Sequence, residues 1–159
     1  MSFAPFDEYF RELAEAETRV ITIPPGGGIS GLPADAYVFS EMYCNESGCD
    51  CRRVFFTVFS ESQKRAEAVV AYGWETKAFY TKWLGNSDLA TLVELQGPIL
   101  NPGSPQSPLA PALLQLTEEV LLKDPAYLDR IKRHYALVRQ KIAGGKLKRT
   151  PNGKGFGRR

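Results

Sequence analysis

The sequence predicts an α+β fold: a small antiparallel β-meander packed against several helices, with a cysteine cluster at a hairpin turn. Tyr37–Tyr43 alternates between a face of Tyr37, Phe39, Glu41 and Tyr43 and a face of Val38, Ser40 and Met42, the two-residue period of a strand. Arg53–Phe59 (RVFFTVF) and Ala66–Trp74 (AEAVVAYGW) follow after short polar connections and are rich in β-branched and aromatic residues, so three sequential strands form a meander. Near the other end Leu128, Ile131, Tyr135, Val138 and Ile142 step by three and four residues, one apolar stripe on a helix facing a core.

The remaining elements fall around this frame. Pro5 and Asp7 open a first helix in which Phe6, Tyr9, Phe10, Leu13 and Ala16 recur at helical spacing. Arg19–Ile23 (RVITI) is a short strand stopped by Pro24-Pro25, and a glycine-rich loop follows to Pro33. After Trp74 a short helix is expected over Glu75–Leu84, and Ser87-Asp88 supplies an N-cap for another over Leu89–Leu95. Residues Gly97–Pro111 hold five prolines and read as an irregular loop. Leu109–Leu122 is a leucine-dense helix, and Asp124 caps the last helix, Pro125–Ile142, with proline at its favoured first position.

With 159 residues, 43% of them hydrophobic and 24% charged, the chain is long enough for one core, which excludes a disulfide miniprotein, a collagen-like repeat and a largely disordered chain. The expected division is a single domain over 1–142 and a basic, glycine-rich flexible tail over 143–159. The tail has six basic residues and no acidic one; taking those six from the 20 in the chain leaves 14 against 18 acidic residues, about −4, in the body. Such a tail is a candidate for weak nucleic-acid binding through counterion release, although the body shows no matching basic surface. No apolar run reaches the ~18–20 residues of a membrane span, so no membrane partner is expected. The acidic, amphipathic start lacks the pattern of a signal peptide, which makes a cytoplasmic location the expectation.

The three cysteines are the informative residues. Cys44, Cys49 and Cys51 lie within eight residues, with Gly48 between them to let the chain bend. An odd number of cysteines in a reducing compartment argues against a disulfide framework. Zinc takes thiolate and imidazole ligands in a tetrahedron, and a hairpin loop can converge three sulfurs, so the expected metal set is Cys44, Cys49, Cys51 and the only histidine, His134. Glu41, Glu46, Asp50 and a water are the other candidates for the fourth position. Water would leave the site open for catalysis. Arg52 and Arg53 follow the last cysteine, where one can offset the charge of a thiolate-rich centre while the other faces solvent.

The segment Glu41-Met-Tyr-Cys44 through Cys49-Asp-Cys-Arg-Arg-Val54, together with Arg133-His-Tyr135, resembles an uncharacterised bacterial protein family with a Tyr-Cys-x4-Cys-Asp-Cys-Arg-Arg motif. The resemblance covers the cysteine loop, its two strands and the last helices, and it implies no activity or cofactor.

Other signals are weaker. Gly26-Gly-Gly28-Ile-Ser-Gly31 matches a dinucleotide fingerprint in letters only, because Pro33 and a strand follow where a helix must open. The Asn45-Glu-Ser47 sequon lies inside the cysteine turn, and the Pro-x-x-Pro spacings of 104–111 suffice to stiffen a loop. The functional expectation is a small zinc-binding module that acts by binding a protein partner. The alternatives are a zinc enzyme with an open position near Arg53 and His134, and a nucleic-acid binder acting through its tail.

Overall fold

The computed structural model describes residues 2–29 and 31–147. Its centre is a six-stranded antiparallel sheet. The meander predicted from sequence forms β3 (Asp35–Cys44), β4 (Arg53–Ser60) and β5 (Arg65–Gly73), and β2 (Arg19–Ile23) pairs with β3. Two short strands complete the sheet. β1 (Phe3–Pro5) pairs with the cysteine end of β3, and β6 (Ile99–Leu100) pairs with β5 from inside the proline-rich loop. Neither is visible in the sequence, because two or three residues are too few to show a period and both are extended only through their neighbour's ladder. The order is β1-β3-β4-β5-β6, with β1 and β2 sharing one edge of β3.

The first helix is shorter than its periodicity suggests. A 3-10 turn (Phe6–Glu8) leads into α1 (Arg11–Glu17). α2 (Lys77–Leu84) is capped by the Thr76 side chain, which accepts from the Phe79 N–H. α3 (Leu89–Gln96) is capped as expected by Asp88, which accepts from the Thr91 N–H. α4 (Ala110–Glu119) ends in a 3-10 turn over Leu121–Lys123. α5 (Pro125–Leu147) starts where Asp124 accepts from the Ala126 N–H, and it runs past the expected end at Ile142. The tail beyond residue 147 lies outside the described residues.

One core fills the space between the sheet and its helices. The odd residues of β3 (Tyr37, Phe39, Tyr43) and the even residues of β4 (Val54, Phe56, Val58) meet Leu113 and Leu116 of α4 and Tyr127, Ile131 and Val138 of α5. Burying these side chains stabilises the fold by roughly 1.5–3 kcal/mol each. A smaller cluster of Tyr80, Leu92 and Leu95 joins α2 to α3. Among the described residues no helix is long and apolar enough to cross a membrane.

Candidate metal centre

β3 ends at Cys44, the chain turns through Gly48 in a left-handed conformation (φ 77°), and it re-enters the sheet at Arg53. The turn brings together the Sγ atoms of Cys44, Cys49 and Cys51, all within 4.8 Å of one another. Cys44 and Cys51 are buried and Cys49 is partly exposed; all three are free thiols. The Cys51 thiol hydrogen-bonds to Cys44 and, helped by the Glu46 N–H at 3.5 Å, draws its thiol down to about 6. The neighbouring thiols shift the other way. Cys51 is raised chiefly by its hydrogen bond with Cys44, and Cys49 by burial and then by Cys44. Thiolate is the form of cysteine that binds a metal, and a cation held between the three sulfurs would favour it at each of them.

The loop is held from outside by side chains that its own sequence does not reveal. Arg52 has a positive φ of 52°, a strained conformation for a residue with a side chain. Three partners hold it there: Arg52 N–H donates to the Tyr135 hydroxyl at 3.1 Å, while its C=O accepts from the Tyr80 hydroxyl at 2.9 Å and the Trp74 N–H at 3.3 Å. That kink lets both Cys51 and Arg53 point inward. Arg139 of α5 caps the loop by donating to the carbonyls of Cys44, Glu46 (2.9 Å) and Cys49 (2.6 Å).

Of the two arginines after Cys51, the structure buries Arg53, at 5% exposure. It donates to the Leu95 and Glu94 carbonyls at 3.0 and 3.2 Å, closing the C-terminal end of α3. Burial lowers its pKa, and the nearby Cys51 opposes that shift. Arg52 is the outward one, paired with Asp50 at 2.8 Å and Glu75 at 3.0 Å.

The other predicted candidates are placed as follows. His134 is not part of the three-cysteine group. Its Nδ1 lies 2.6 Å from Glu41 Oε1 and its Nε2 lies 2.6 Å from Glu17 Oε1, so both ring nitrogens are taken by carboxylates. Glu41 is also in that second cluster, accepting from the Tyr43 hydroxyl at 2.6 Å and the Tyr127 hydroxyl at 2.7 Å. Asp50 accepts from Arg52 and from the Tyr135 hydroxyl at 3.0 Å, and the Arg52 bonds hold its carboxyl below the usual range.

The second cluster was not legible as a unit. His134 is 1% exposed and lies on the Phe6 ring, with centroids 4.2 Å apart and planes 14° from parallel. Both of its ring nitrogens are thus in hydrogen-bond contact with carboxyl oxygens, one from α1 and one from β3. Glu17 is held below its ordinary value by His134 first and Arg133 second. Burial raises the Tyr43 and Tyr127 hydroxyls well above theirs. The one signal in the sequence was Glu41 on the otherwise apolar face of β3; nothing in the sequence pointed to Glu17 or to the tyrosines as its companions.

The chain matches no family model, no curated protein and no solved structure at the significance required. The chemistry of the centre therefore rests on its geometry.

Proposed function

We propose that Cys44, Cys49 and Cys51 bind one zinc ion and that the protein is a metal-stabilised binding module with a protein partner. The observation that supports this is the convergence of three Sγ atoms within 4.8 Å. Sulfurs bound tetrahedrally to zinc at ~2.3 Å stand ~3.8 Å apart, so a small inward adjustment closes the site. The donor set suits a soft or borderline ion and no hard one. Three thiolates leave the centre with one surplus negative charge, and Arg53 and Arg139 both interact electrostatically with the cysteines to offset it.

Bound at this point, the ion ties the end of β3 to the start of β4, beneath the cap that Arg139 forms on the loop. Its effect is then to fix the loop and the last turns of α5 as one rigid surface. The fourth position is left to Glu46, to water or to a group from a partner, since His134, Glu41 and Asp50 are engaged elsewhere. An exchangeable fourth ligand is also what a zinc enzyme requires, and that is the second reading.

Elemental analysis of protein purified without a metal-affinity step tests the proposal. About one zinc per chain, released by a chelator together with a fall in thermal midpoint, is expected. Metal-free protein with three freely titrating thiols, and no gain in stability on adding zinc, overturns it.

A further inference from the structure

A different feature, independent of the cysteines, lies on the edge of β3 between β1 and β2. β1 stops pairing at Pro5 opposite Met42, and β2 resumes at Arg19 opposite Phe39. Ser40 and Glu41 therefore have no strand beside them on that edge. The intervening chain, residues 6–18, arches away through the 3-10 turn and α1, and the space beneath it is a cleft of about 420 Å³. That volume falls in the range of small-molecule sites, ~300–1,000 Å³.

Strand alternation determines which peptide group looks into the gap. Asn45 N–H donates to the Ser2 carbonyl on this edge, and Glu61 N–H donates to the Ala36 carbonyl on the opposite edge. Odd residues of β3 thus aim their backbone groups toward β1 and β2. The N–H and C=O of Glu41 face the gap without a strand partner, which is unusual for a residue only 5% exposed. Glu41 and His134 are both among the residues that line the same cleft. Glu41 Oε1 already accepts from Tyr43 and contacts His134, whereas Oε2 accepts only from Tyr127 and retains a free acceptor position.

The surroundings select the sign of a ligand. Phe6, Val38 and Phe59 supply apolar wall, and Asp7, Glu15 and Arg11 stand around the cleft. None of those three charged side chains has an ion pair or hydrogen bond among the described residues. At the rim Asp7 and Glu15 set two carboxylates against the Arg11 guanidinium, and the Glu41 carboxyl lies behind them beside His134.

We propose that this gap in the sheet edge is a binding site for a small organic cation, an amine or guanidine with an apolar body. Its N–H groups bond to Glu41 Oε2 and to the Glu41 carbonyl. Its apolar part packs on Phe6 and Phe59, and the rim carboxylates raise its local concentration.

His134 is the only histidine in the chain, so its ring C–H signals form one isolated pair in a proton NMR spectrum and report directly on the floor of the cleft. The probes are benzylamine, with benzoate and benzyl alcohol at the same concentrations as controls. Benzylamine is expected to shift the His134 signals saturably at millimolar concentration or below, and benzoate is not. Glu41→Gln is expected to remove the saturable shift. Because that variant disturbs a buried network, the exposed rim is tested separately: Asp7→Asn with Glu15→Gln should keep the fold and weaken benzylamine binding about threefold. A response shared equally by benzoate or benzyl alcohol, no saturable response, or unchanged binding in the rim variant overturns the proposal.

Discussion

The cysteine loop and the Glu41–His134 cluster are both held by α5, yet they are assembled in opposite ways. The loop is local. Its three sulfurs come from eight consecutive residues, and α5 adds only the cap from Arg139 and the Tyr135 hydroxyl. The cluster is built from Glu17, Glu41, Tyr43, Tyr127 and His134, drawn from α1, β3 and α5, with up to 117 residues between partners. A local site can preserve its ligand spacing when packing is loosened, whereas a long-range cluster exists only while three elements are docked. The two therefore respond to different perturbations, and each prediction separates them further.

The largest effect is expected from Cys51→Ser, at a buried member of the cysteine group. Metal content should fall from about one per chain to none, and the thermal midpoint should drop to that of chelated wild-type protein, while the His134 ring signals keep their positions. Metal retained in this variant breaks the assignment of the loop.

Next comes His134→Ala. Two carboxylates lose the group that contacts them, and Glu41 is left buried with only tyrosine hydroxyls, so a loss of about 3–5 kcal/mol is expected in denaturant unfolding. Metal content per folded chain should not change. A variant that folds well but loses zinc would instead make His134 a ligand and merge the two regions into one.

Arg139→Ala tests the α5 side chain that, among the described residues, reaches the carbonyls of the loop. Losing its charged hydrogen bonds to the Cys44, Glu46 and Cys49 carbonyls should cost about 1.5–3 kcal/mol and weaken zinc affinity in a competition titration without abolishing it.

The smallest effect is in acid. The Glu17 carboxyl lies below its ordinary value because of His134 and Arg133, and Asp35 is held down to about 2 by the Ser60 and Ser62 hydroxyls. A lowered carboxyl stabilises the folded state above its ordinary range, and that contribution is lost as pH falls through the lowered value. Thermal midpoints measured below pH 4.5 should therefore decline more shallowly in Glu17→Gln than in wild type. Parallel curves would mean that Glu17 does not stabilise the cluster.

Much of the frame was legible because it is periodic. The alternation of Tyr37–Tyr43 placed its odd residues on the core side, and the stripe from Leu128 to Ile142 placed α5 against them. Asp88 and Asp124 announced helix starts through the shape of their side chains. β1 and β6 were hidden because a strand of two or three residues carries no period and is defined by its neighbour. The cysteine group was legible because its members are neighbours in the chain. The surroundings of His134 were not, because its partners depend on how α1 and α5 sit on β3.

By itself the sequence determined the class of fold, the two faces of β3, the helix caps at Asp88 and Asp124 and the cysteine cluster, because each depends on residues within a few positions of one another. The tertiary structure decided which arginine turns inward, what surrounds the buried histidine and where the sheet edge is left open. Those outcomes depend on contacts between elements distant in the chain, where backbone kinks such as that at Arg52 are set by hydroxyls from Tyr80 and Tyr135 rather than by local preference.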